Sequence, residues 1–124
     1  MTTPLALVFY EKLLPGSQLV NRLQDLGYRV QIISDIQSLV LQVLVDKPLI
    51  VVADLASAAS DVCAVIRELK QNPEARHVPV LAFTDLKNNK LQTVAMAAGA
   101  TIVAGRDAII DQLPELLDQA LQVE

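Results

Sequence analysis

Residues 49–53, Leu-Ile-Val-Val-Ala, form an unbroken apolar run that ends on a single carboxylate, Asp54. A strand with one wet face alternates apolar and polar residues, whereas a strand covered on both faces is apolar throughout. The run is too short for a buried helix and rich in β-branched side chains, so it belongs at the centre of a sheet covered on both sides. Leu5–Phe9 is a second run of the same kind, and residues 78–83 are a third. Residues 28–33 and 101–104 read as two further strands.

Between these runs the apolar spacing becomes helical. Pro15-Gly16 breaks the chain, Ser17 offers an N-cap, and Leu19, Val20, Leu23 and Leu26 then recur on one face, with Gly27 as the residue just past the helix. Ser34-Asp35-Ile36-Gln37 has the spacing of a capping box, and the helix it predicts runs to about Asp46, where Lys47-Pro48 stops it. Val62, Val65, Ile66 and Leu69 mark a third helix, broken at Asn72-Pro73. Residues 87–98 predict a fourth, with Leu91, Val94, Ala95 and Ala98 inward and Gly99 at its end. The last runs to about Gln122, with Pro114 in its first turn.

Five strands alternating with five helices predict an α/β, doubly wound, five-stranded parallel sheet with helices on both faces. Right-handed crossovers and short connections favour the flavodoxin-like order 2-1-3-4-5. Ligands and chemistry then belong at the carboxyl ends of strands one and three, which carry Tyr10, Glu11 and Asp54.

Composition narrows the function. The 124 residues fit one domain, 1–124, with no repeat or linker and little chain left for an output module. The chain is 52% apolar but only 3% aromatic, so aliphatic side chains must build the core. A net charge of -4 without a basic stripe argues against nucleic acid. Cys63 is the one cysteine, so no disulfide framework exists, and a reducing cytoplasm is the simplest location. No apolar run approaches a membrane span, and the first residues lack the pattern of a secretory signal. No glycine-rich phosphate loop follows strand one, and no Ser-His-Asp set or metal cluster is visible. The chain therefore does not read as an enzyme, although a small-ligand site in the same crevice stays open on fold grounds.

The phrase Asn72-Pro73-Glu74-Ala75-Arg76-His77-Val78-Pro79-Val80, set at an ungapped distance from Asp54, resembles the middle of a response-regulator receiver domain of the CheY-like family. Ala82-Phe83-Thr84 is similar to that family's fourth strand with its terminal hydroxyl, Ala97-Ala98-Gly99-Ala100 to its Gly-Ala before strand five, and Gly27-Tyr28 to its approach to strand two. The resemblance implies signalling through a two-component phosphorelay. A phosphohistidine or small phosphodonor would deliver a phosphoryl group to an Asp while Mg2+ and a Lys neutralise the spreading charge.

By that resemblance Asp54 is the candidate phosphoacceptor and Thr84 the candidate switch hydroxyl, while Arg106 stands at the position of the family Lys. The acidic pair ending strand one is reduced to Tyr10 and Glu11, so Glu11 with Asp54 is the weak candidate set for Mg2+. Arg106 is not equivalent to Lys, because its planar fork does not mimic a compact ammonium. Asp107 replaces the family Pro, Asp85 follows Thr84 where a small residue is preferred, and the loop after the acceptor reads Leu55-Ala56-Ser57-Ala58-Ala59. By that resemblance these departures imply a degenerate or pseudo-receiver that would act by protein–protein interaction. The alternative is a working single-domain response regulator phosphorylated on Asp54.

Each feature also has a plainer reading. Asp54 would be a leftover carboxylate capping the next loop, Glu11 a solvated side chain beside Lys12, and Thr84 a helix cap. His77 reads as surface polar and Cys63 as a small buried hydrophobe. On the second helix Leu41 and Val45 point away from the face formed by Ile36, Leu39, Val40, Val43 and Leu44. They are covered by a loop, merely tolerated, or part of a surface for a partner or a second copy. The implied partners are a histidine kinase or another signalling protein, with a homodimer as a further option. The family's contact face, around helix four and strand five, offers Lys87, Asn88, Asn89, Lys90, Arg106 and Asp107 here.

Overall fold

The computed structural model describes residues 4–10, 13–33, 35–55, 62–84 and 89–122. Five parallel strands, β1 (Leu5–Phe9), β2 (Arg29–Ile33), β3 (Ile50–Asp54), β4 (Val80–Thr84) and β5 (Ile102–Gly105), form one sheet in the order β2-β1-β3-β4-β5. This is the expected topology. β3 is central, and all five of its residues are buried. The helices are α1 (Leu13–Asp25), α2 (Leu39–Asp46), α3 (Val62–Gln71), α4 (Asn89–Ala98), α5 (Arg106–Asp111) and α6 (Leu113–Gln122).

Strand alternation divides the core into two layers. Leu7, Phe9, Val51, Ala53, Val80 and Ala82 join Leu39 and Val43 of α2, Val65, Ile66 and Leu69 of α3 and Ala95 and Ala98 of α4. On the other face Ala6, Val8, Ile50, Val52, Leu81 and Phe83 meet Leu19 and Leu23 of α1, Ile109 of α5 and Leu113, Leu117 and Ala120 of α6. Each large aliphatic side chain buried this way contributes about 1.5–3 kcal/mol relative to exposure. Cys63 belongs to the first layer and is buried, as expected.

Several expectations need correction. α1 begins at Leu13 and runs through Pro15-Gly16, so Ser17 does not cap it. Pro in a first turn forfeits no intrahelical bond, because those N–H groups have no partner within the helix. α1 ends as foreseen: Gly27 takes φ 94°, its N–H reaches the Gln24 carbonyl and that of Tyr28 the Leu23 carbonyl. Leu26 lies beyond the helix and is exposed.

Ser34 lies outside the described residues. Asp35 instead accepts the Gln37 N–H at 3.0 Å on its Oδ1, and a 3-10 turn, Ile36–Ser38, leads into α2. α2 stops at Asp46, and Lys47 takes a left-handed φ of 49° before Pro48. Val94 is exposed rather than inward: α4 faces the core through Ala95 and Ala98, small residues that let the helix approach closely. The last connection holds two helices instead of one. Pro114 has no N–H to give Ile110, so α5 closes at Asp111 and α6 starts afresh with Pro114 in its first turn.

Candidate functional site

Hydrogen-bond register brings the candidate residues to one edge of the sheet. Phe9 pairs with Ala53, so Tyr10 follows β1 at the level of Asp54. Asp54 pairs with Phe83, and Thr84, one step on, pairs with Gly105. The Leu55 N–H donates to the Phe83 carbonyl at 2.9 Å, which carries the β3–β4 ladder one residue past Asp54 and fixes its backbone. Among the described residues Asp54 and Thr84 are the two buried polar side chains, with 2% and 1% of their surface exposed. Burying a carboxylate and a hydroxyl at the ends of neighbouring strands is costly for a fold that needs only a core. Both stand at the carboxyl end of central strands, where open α/β sheets place their sites.

The remaining members of the predicted set differ in standing. Tyr10 is half-buried and packs against the apolar layer beneath α1, so an aromatic ring occupies the strand-end position where a carboxylate was in question. Glu11 lies outside the described residues, as do Asp85 and the loop from Ala56. Arg106 is the first residue of α5, directly after β5 ends at Gly105, and its side chain lies outside what is described. Described residues therefore supply this edge with one carboxylate, and among them no three His, Cys, Asp or Glu side chains gather to hold a metal. Taken by themselves they do not make a Mg2+ site.

The phrase between α3 and β4 has a structural role at the opposite end of the sheet. Asn72 Oδ1 accepts the Glu74 N–H at 2.9 Å, the Asn72 carbonyl accepts from Ala75 and Arg76, and Ala75 and Val78 are buried. His77 is exposed there, remote from Asp54 along β4, in keeping with its plainer reading. Sequence reading missed Lys70. Its Nζ donates to the Val78 carbonyl at 2.7 Å and the Arg76 carbonyl at 3.1 Å, tying the loop to α3. Burial pushes the Lys70 pKa below its ordinary value. The one signal was its place, at the end of an amphipathic helix just before Asn72-Pro73.

Two surfaces bear on partners. On α2, Leu41 and Val45 are 62% and 68% exposed, so no loop among the described residues covers them. Along α4 and β5 an open groove of about 540 Å³ is lined by Gln92, Thr93, Met96, Thr101, Ile102 and Val103. It is more apolar than the polar set expected for that face, whose side chains lie outside the described residues. No helix of the described residues is long and apolar enough to cross a membrane.

Solved structures settle what this architecture is. The receiver domain of the sensor histidine kinase PA1611 from Pseudomonas aeruginosa PAO1, crystallised with a magnesium ion in its active-site cleft, superposes with a TM-score of 0.86 over 98% of this chain and 99% of its own, at 18% identity. The fold is the receiver-domain fold. The chemotaxis response regulator CheY4 of Vibrio cholerae matches the receiver fold of this chain with a TM-score of 0.84 over 97% of it and 100% of its own chain, at 16% identity. A response regulator described from Chloroflexus aurantiacus gives 0.81 over 94% and 99%, again at 16% identity. No protein-family model matches the sequence, and neither does any curated protein.

Proposed function

We propose that this chain is a receiver-like signalling module that works by binding another protein and is atypical in phosphorylation. The observation that carries the reading is Asp54, a carboxylate at the acceptor position of a receiver fold with 2% of its surface exposed. Beside it, Tyr10 fills a strand-end position with an aromatic ring. A carboxylate this enclosed offers a phosphodonor little surface. The partner is a histidine kinase or another cytoplasmic signalling protein. The groove of mixed polar and apolar lining along α4 and β5 and the exposed Leu41 and Val45 support such a contact. In this reading the chain is not itself an enzyme.

The burial of Thr84 at the end of the strand next to that of Asp54 favours a second reading, a working single-domain response regulator. Phosphoryl transfer would form a P–O bond to an Asp54 oxygen and break the bond to the donor, whose leaving group keeps the electron pair. Incubation with Mg2+ and acetyl phosphate, or with a beryllofluoride mimic, followed by intact-mass or NMR measurement, separates the two. The first reading expects no stable change. Stable, Mg2+-dependent modification that disappears in Asp54→Asn would establish the second.

A further inference from the structure

We draw no further inference here: the strongest candidate, the exposed apolar patch of Leu41 and Val45 on the outer face of α2, rests on side-chain exposure alone, and nothing in the structure shows what covers it.

Discussion

Gly99 leaves the space that the Lys70 side chain fills: a β-carbon built on Gly99 would lie 2.6 Å from Lys70 Cγ and 3.2 Å from its Cβ. Gly99 also holds φ at 117°, where its N–H reaches the Met96 carbonyl and that of Ala100 the Ala95 carbonyl, closing α4. Lys70 cannot simply swing aside, because its Nζ is bound to the carbonyls of Arg76 and Val78. Gly99→Ala should therefore cost more than the ~1–2 kcal/mol of a left-handed backbone alone. In a Lys70→Ala background, which removes the 2.6 Å clash and leaves the 3.2 Å contact with Cβ, the same substitution should cost clearly less. Urea unfolding of the four chains in a double-mutant cycle gives the difference, and full additivity would contradict the steric coupling.

Lys70 and Tyr28 should bend the alkaline stability profile in opposite directions. Burial lowers the Lys70 pKa below 10.5, so below that range the fold carries the cost of a desolvated ammonium. The unfolded chain then binds more protons, and stability rises as pH climbs toward 10.5. Burial, and next the charge of Asp118, raise the Tyr28 pKa above 10.0. Its contribution is full below 10.0 and is lost as pH rises through the folded value. Urea titrations should show the alkaline loss flattened in Tyr28→Phe and steepened in Lys70→Met, relative to wild type. Unchanged slopes in both variants would contradict these assignments.

The sequence made the strands legible because burial on both faces leaves an unmistakable apolar run. β1 falls on the very residues read for it, and Asp54 ends β3 as expected. Helix boundaries were less legible where local and tertiary rules compete, as at Pro15-Gly16, which α1 absorbs into its first turn. Lys70 was invisible for another reason. Its targets are backbone carbonyls, which have no sequence signature and come within reach only once the Asn72–Val78 turns have formed. Asp54 was found by its place at a strand end and Thr84 by the family resemblance, and register sets them on neighbouring strands.

At Tyr10, packing and charge balance conflict. Its ring covers part of the layer beneath α1, yet its position adjoins Asp54 at the sheet edge. Tyr10→Asp should lower stability by about 1–3 kcal/mol through lost apolar burial and a half-buried charge. The same change adds a second carboxylate beside Asp54, the number with which Mg2+ sites are commonly built. Calorimetric titration should detect Mg2+ binding more readily in Tyr10→Asp than in wild type. Asp54 modification by acetyl phosphate should increase in parallel. Loss of stability without any gain in Mg2+ affinity would show that Tyr10 is purely a packing residue.

Lys47 holds φ at 49° and ψ at 61°, a left-handed conformation that costs a side-chain-bearing residue about 1–2 kcal/mol. It persists because its N–H donates to the Val43 carbonyl at 2.9 Å and because buried Pro48 fixes the chain's path into β3. Glycine accepts this conformation without steric strain but loses about 0.5–1 kcal/mol more than alanine in backbone freedom on folding. The balance predicts that Lys47→Gly stabilises the chain by up to ~1 kcal/mol, while Lys47→Val, with a branched β-carbon, destabilises it by at least as much. Both follow from urea midpoints at constant m-value. Destabilisation by Lys47→Gly would mean that the lysine side chain contributes more here than its backbone strain takes away.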